Sequence, residues 1–251
     1  MCVWGGPLYT AAYKGHKDIV DALLQHESID VNKATTDYGT TPLFVAAQDG
    51  HKDIVDALLQ HESIDVNRAR TDKGATPLWI AAQNGHKDIV DVLLQHESID
   101  VNKATTDYGK TPLYIAAYKG HKDIVDALLQ QESIDVNQAT TDYGQTPLYI
   151  AAEKGQKDIV DVLLQHESID VNQATTDDGS TPFLIASQCG HIEIMEQLKI
   201  HGANINAELT AGVNKGANAI WCAAYNGKIE SIKFLKLWNV DVNQATTDYG
   251  N

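Results

Sequence analysis

Two ladders of histidine are the first residues in this chain whose type and spacing invite chemistry. His16, His51, His86, His121 and His191 share one register, and His26, His61, His96, His166 and His201 share another. Imidazoles at regular intervals suggest metal ligands or acid–base groups. The spacing argues against both. Equivalent positions on packed helices lie about 8–10 Å apart, whereas zinc ligands converge to about 2 Å from one ion. Gln131 and Gln156 interrupt the ladders without a compensating ligand. The histidines are therefore expected to sit as polar groups between helices and at helix ends. Gly109-Lys110-Thr111 has the form of a phosphate-loop tail, but Ala104 stands where that loop needs glycine. Cys2, Cys189 and Cys222 occupy no common register and imply neither a disulfide framework nor a zinc motif. Cys222 is expected to pack as a small hydrophobe. Asp18, Asp21, Glu27 and Asp30 and their copies fall off the apolar stripes and read as a solvated back. No nucleophile–base pair emerges. The expectation is no catalysis, no cofactor, no metal and no small-molecule substrate.

The elements that position these residues repeat. Pro7, Pro42, Pro77, Pro112, Pro147 and Pro182 recur at a constant step of 35 residues, and Gly15, Gly50, Gly85, Gly120, Gly155 and Gly190 keep the same step. A fixed period of this size marks stacked copies of one supersecondary unit. In the copy spanning 32–66, Thr41 can cap a helix whose first position suits Pro42. Leu43, Ala46 and Ala47 share a face, and Gly50 ends the helix. Ile54, Val55, Leu58 and Leu59 form the apolar stripe of a second helix, with Asp53, Asp56 and Gln60 opposite. Ile64 and Val66 alternate with Asp65 and Asn67, as in a short extended piece, and a polar finger leads to the next helix. One copy cannot bury its own apolar face, so stability must come from stacking.

The series Gly-x-Thr-Pro-Leu-x-x-Ala-Ala-x-x-Gly-His, Ile-Val-x-x-Leu-Leu and Asp-Val-Asn resembles the ankyrin repeat over nearly the whole chain. The resemblance implies an all-α solenoid of about seven antiparallel helix pairs with connecting β-hairpin fingers, and a concave surface that binds other proteins. It implies one domain over 1–251, with copies at approximately 1–31, 32–66, 67–101, 102–136, 137–171, 172–205 and 206–242. Residues 243–251 open an incomplete eighth, and the chain reads as a segment of a longer array or as a truncated one. Two features depart from the family: the copies have 35 residues instead of 33, and the histidine after Thr-Pro-Leu is replaced by Phe44, Trp79, Tyr114 or Tyr149. Asn32, Asn67, Asn102, Asn137 and Asn172 resemble sites of asparaginyl hydroxylation in ankyrin proteins. They are read here as turn formers bonding nearby backbone. The finger over 207–218 is longer and carries Gly212 and Gly216, which predicts a protruding mobile loop. Asn218-Ala219 replaces Thr-Pro there and predicts a weaker helix start. Trp238, Lys228, Lys233 and Lys236 make the last second helix less acidic than the others.

A net charge of −15 disfavours nucleic-acid phosphates and anionic membranes as partners. No apolar run is long enough to span a bilayer, and residues 1–15 lack a leader pattern. The reading predicts an intracellular protein, cytoplasmic, with the nucleus left open.

The positions that vary between copies fall on the fingers and on the ends of the first helices, which in ankyrin proteins line the groove. The third copy places Arg68, Arg70 and Lys73 against Asp72, and the fourth Lys103, Lys110 and Lys119 against Asp107. An acidic chain thus carries a basic middle. Trp79, Tyr108, Tyr114 and Tyr118 are near it, Gln83 and Asn84 end the adjoining helix, and Tyr143 and Tyr149 follow in the next copy. Tyr108 and Tyr143 belong to finger tips, whereas Trp79, Tyr114 and Tyr149 belong to a ladder expected to pack mostly between first helices. Arginine forks and aromatic area favour a protein or peptide partner carrying acidic or phosphorylated residues. The sequence predicts a non-catalytic interaction scaffold. Its alternatives are a targeting segment of a longer enzyme or channel, or a membrane-skeleton adaptor.

Overall fold

A computed structural model of the protein describes residues 5–247. Cys2 and residues 248–251 of the incomplete last copy lie outside them. The chain divides into two compact units, 1–134 and 135–251. In the N-terminal unit the helices are α1 Pro7–Tyr13, α2 Lys17–Leu24, α3 Pro42–Asp49, α4 Lys52–Leu59, α5 Pro77–Asn84, α6 Lys87–Leu94, α7 Pro112–Lys119 and α8 Lys122–Leu129. The C-terminal unit holds α9 Pro147–Lys154, α10 Lys157–Leu164, α11 Pro182–Cys189, α12 Ile192–Ile200, α13 Ala219–Tyr225 and α14 Ile229–Leu237.

The first helices α3, α5 and α7 start at proline behind a threonine cap, whereas α1 starts at Pro7 behind Gly6 with no side-chain cap. The hydroxyls of Thr41, Thr76 and Thr111 accept from the amides of Phe44, Trp79 and Tyr114 at 3.1, 3.1 and 3.0 Å. This satisfies one of the amides that a helix start leaves open. Within the N-terminal unit α1, α3, α5 and α7 pack in sequence, and α2, α4, α6 and α8 do the same more loosely. The difference follows from side-chain size: Ala46, Ala47, Ala81, Ala82, Ala116 and Ala117 are fully buried along the first helices. Ile54, Val55 and Leu58, with their copies Ile89, Val90, Leu93, Ile124, Val125 and Leu128, fill the layer between the two rows. On the exposed side the second helices carry lysine–aspartate pairs four residues apart, such as Lys52–Asp56 and Lys122–Asp126 at 2.6 Å. Exposed pairs of this kind contribute little stability.

The expected extended pieces and β-hairpin fingers are tight turns instead. Among the described residues the only β pairing is an isolated bridge between Glu208 and Asn218. The reason is visible in the bonding. An antiparallel pair exchanges two main-chain bonds, but only one forms here, from Thr105 N–H to the Lys110 carbonyl at 3.1 Å. The returning amide of Lys110 goes to the Thr105 hydroxyl oxygen at 3.1 Å. Neighbouring fingers are joined tip to tip, Thr71 N–H to the Tyr38 carbonyl and Thr106 N–H to the Lys73 carbonyl, both at 2.8 Å.

The asparagine ladder also differs from expectation. Asn67 does not bond its own turn. Its carboxamide donates to the Ser98 carbonyl at 2.6 Å and accepts from the Asp100 amide at 2.9 Å, so it spans two copies. Asn32 does the same with Ser63 and Asp65. The local turn is made by the aspartate two residues earlier, with Asp65 accepting from the Asn67 amide at 3.1 Å. Asn67→Ala is expected to lower the unfolding free energy by about 1–3 kcal/mol, the worth of two net hydrogen bonds. Urea denaturation reads this, and Asn67→Asp should be nearly as costly, because a carboxylate cannot donate to the Ser98 carbonyl.

The C-terminal unit repeats the plan, with Thr146 and Thr181 capping α9 and α11. The start of α13 is not weakened at its cap. The Asn218 carboxamide oxygen accepts from the Trp221 amide at 3.0 Å, and asparagine caps at least as well as threonine. The long finger is closed at its base by Leu209 N–H to the Ala217 carbonyl (3.0 Å) and Gly216 N–H to the Leu209 carbonyl (2.8 Å). Leu209 is buried there while Val213 at the tip is exposed. Among the described residues no helix is long and apolar enough to cross a membrane.

Candidate protein-binding groove

The first helices of the N-terminal unit and the fingers before them enclose a groove of about 440 Å³. Nine of the residues singled out from sequence line it: Arg70, Lys73, Trp79, Gln83, Tyr108, Lys110, Tyr114, Tyr118 and Lys119. Arg68, Asn84 and Lys103 are not part of its lining. Asn84 has a different task, its carboxamide donating to the Gln48 carbonyl at 2.9 Å. Tyr143 and Tyr149 belong to the C-terminal unit. Tyr143 is exposed, whereas Tyr149 is buried and its phenol is raised well above the ordinary tyrosine range, chiefly by that burial.

Arg70 is not a free fork. Its Nε and Nη2 donate to the two carboxylate oxygens of Asp72 at 3.0 and 2.6 Å. Its guanidinium lies 5.0 Å from the Tyr38 ring centre and 5.6 Å from that of Phe44. The corresponding place in the preceding finger belongs to Thr35, whose hydroxyl donates to Asp37 at 2.6 Å. That bond, with the Tyr38 amide, holds the Asp37 carboxyl below the usual carboxylate range. Arg70 thus replaces a finger-closing hydroxyl, and Asp72 absorbs most of its charge.

The lysines are different. Lys110 Nζ stands 5.0 Å from the Tyr108 ring centre and 5.9 Å from that of Tyr114, and Lys119 Nζ 5.6 Å from that of Tyr118. Among the described residues no ion pair engages Lys73, Lys110 or Lys119. Ring faces hold the Lys110 and Lys119 ammonium groups without neutralising them. Trp79 completes the groove, and its buried indole Nε1–H finds no hydrogen-bond partner. Tyr114 and Phe44 are buried along the floor, as packing between first helices demands. Asp72, Ala75, Ile80, Thr105, Asp107 and Ile115 also line the groove. Sequence comparison of the copies passed over Ile80 and Ile115 because that position scarcely changes between copies.

The histidines serve packing. His86 and His121 place Nε2 at 3.0 and 3.2 Å from the Gln48 and Gln83 carbonyls of the preceding copy. A carbonyl only accepts, so Nε2 carries the proton. His191 does the same with Glu153 in the C-terminal unit, at 3.2 Å. In the second ladder His61 Nδ1 accepts from the Ser63 amide at 3.3 Å. Among the described residues no group of three or more His, Cys, Asp or Glu side chains converges on one point. Cys189 and Cys222 are free, and burial pushes the Cys222 thiol up to about 11 and raises that of Cys189 too. Burial favours the thiol over the thiolate in both, which disfavours either as a nucleophile.

A family model described as ankyrin repeats (3 copies) matches residues 5–70, 64–140, 134–208 and 174–246. No curated protein matches the chain. Paired helices, threonine caps before proline and glycine stops recur through both units, and the family model spans nearly their whole length. The chain belongs to the ankyrin-repeat family.

Proposed function

We propose that this protein is a non-catalytic interaction scaffold whose N-terminal groove takes an acidic or phosphorylated peptide segment of a partner protein. Ankyrin repeats are generally protein–protein interaction modules and typically non-catalytic. The observation that carries the finer reading is the set of unpaired ammonium groups, Lys73, Lys110 and Lys119, on an aromatic lining of Trp79, Tyr108 and Tyr118. Acidic groups of the partner meet cations that need shed no carboxylate first, and the aromatic side chains supply the buried area that anchors most interfaces. Arg70 contributes by fixing the finger.

The test is binding of a displayed library of acidic and phosphorylated peptides to the wild type and to Lys110→Glu/Lys119→Glu. The proposal expects the double variant to lose at least about tenfold in affinity for the selected peptides. It also expects wild-type binding to weaken as salt rises, because the contact is between exposed charges. Equal binding by the variant, or selection of basic peptides, would overturn it.

A further inference from the structure

On the side formed by the second helices, the same groove occurs in both units with opposite chemistry. In the N-terminal unit the groove between α6 and α8 is lined by Lys87, Asp91, Gln95, Asp126, Ala127 and Gln131, among others. In the C-terminal unit its counterpart between α12 and α14 is lined by Glu196, Gln197, Lys199, Ile200, Phe234 and Trp238 and encloses about 500 Å³. Aligned copy to copy, Gln95 becomes Ile200, Ala127 becomes Phe234, Gln131 becomes Trp238, and Gln130 becomes Leu237. The salt-bridging lysine of each earlier second helix becomes Ile192 in α12 and Ile229 in α14. Five polar positions have therefore turned apolar across one pair of helices, and Ala127 has given way to a larger apolar residue.

Part of this change fills the interior. Trp238 stacks edge-on against Phe234 with ring centres 4.2 Å apart, and lies 6.1 Å from Phe183. The remainder faces outward, Ile200 being 73% and Leu237 77% exposed. Isolated exposed apolar residues need no explanation, but several beside a groove floored by tryptophan mark an interaction surface. Its charge changes too. Lys199 takes the position of Leu94 and lies 4.1 Å from the Trp238 ring centre, and Lys233 takes that of Asp126. Lys233 pairs with Glu230 at 2.7 Å, while Lys199 and Lys236 have no ion pair among the described residues. In α14 with its preceding residue, three cations, Lys228, Lys233 and Lys236, stand against Glu230 alone, whereas α8 has one lysine against two aspartates.

We infer that the α12–α14 groove is a second docking site, and that its occupant is an acidic amphipathic helix of a partner protein. Two neighbouring helices with apolar residues along their shared channel accept the apolar face of a third helix, with anchors at i, i+3 or i+4, and i+7. Lys199 in the lining and Lys236, the exposed equivalent residue of α14, favour glutamate or aspartate on the flanks of that helix, and the cations select against a basic one.

The test selects a displayed random peptide library on the intact protein, then compares the winners on Ile200→Gln/Leu237→Gln. These substitutions restore the residue of the other copies at two exposed positions, so the thermal melt should be unchanged. The expected winners have helically spaced apolar residues and acidic flanks, and lose at least about tenfold in affinity on the double variant. They should lose comparably on Lys199→Glu, which leaves the apolar surface in place, and nothing on Lys110→Glu/Lys119→Glu. Winners with basic flanks, undiminished binding to the double variant, or a surface whose only ligand is anionic lipid vesicles would each overturn the inference.

Discussion

Leu93→Ala is expected to lower the unfolding free energy by about 2–5 kcal/mol, the range for deleting a fully buried leucine and leaving its cavity. Leu93 lies on α6, has no exposed surface, and sits where α6 meets α4 on one side and α8 on the other. In a stacked array, stability is a sum of copies and of the interfaces between them. The cavity therefore weakens the third copy and its contacts with both neighbours. Amide exchange should rise across α4, α6 and α8 together. Gln95→Ala, two residues on at the exposed helix cap, should change stability by no more than about 0.5 kcal/mol. Equal effects of the two substitutions in urea would show that interhelix burial is not what holds the copies together.

Gly85→Val should cost about 2–4 kcal/mol through the backbone rather than the core. Gly85 ends α5 at φ +79°, where a residue with a side chain costs about 1–3 kcal/mol. A Cβ there would stand 2.8 Å from Cε1 of His121 in the next copy. The ring can retreat only by stretching its 3.2 Å bond to the Gln83 carbonyl, worth about 0.5–1.5 kcal/mol. Asparagine tolerates this backbone geometry better than a β-branched residue does. Gly85→Asn should therefore be the milder change, though it still disturbs the imidazole. Thermal melts rank the two, and the His121 ring N–H resonance reports the displaced contact. If valine and asparagine proved equally harmless, the glycine–histidine contact would have no part in joining the copies.

The features legible in sequence are those written within one copy. Proline after threonine, the alanine pairs and the glycine stop each act on residues within a few positions, so reading one copy foretold both helices. What escaped depends on partners far along the chain. Asn67 looked like a turn former because its bonds go to Ser98 and Asp100, 31 and 33 residues away. The histidine ladder looked merely polar for the same reason, since each carbonyl that takes a ring proton lies 38 residues back. For the groove, comparison of the copies found most of the lining but could not weigh it. Arg70 was visible as a cation. Its pairing with Asp72 depends on the finger's turn, which brings the guanidinium back over residue 72. Expecting strand pairing in the fingers failed because the Thr105 hydroxyl takes the amide that a hairpin would have given to a carbonyl. At α14, Trp238 was readable as a departure, but its shared channel with Phe234 and Ile200 appears only when α12 and α14 lie side by side.

The most direct test of groove binding follows the Trp79 indole N–H by NMR while a selected acidic peptide is added. That proton is buried at the groove and has no partner of its own. The account predicts that its resonance and those of Tyr108, Tyr118 and Lys110 shift together and saturably, and that Lys110→Glu/Lys119→Glu abolishes the shifts. Saturable binding that leaves Trp79 unmoved and perturbs only the second helices would contradict it.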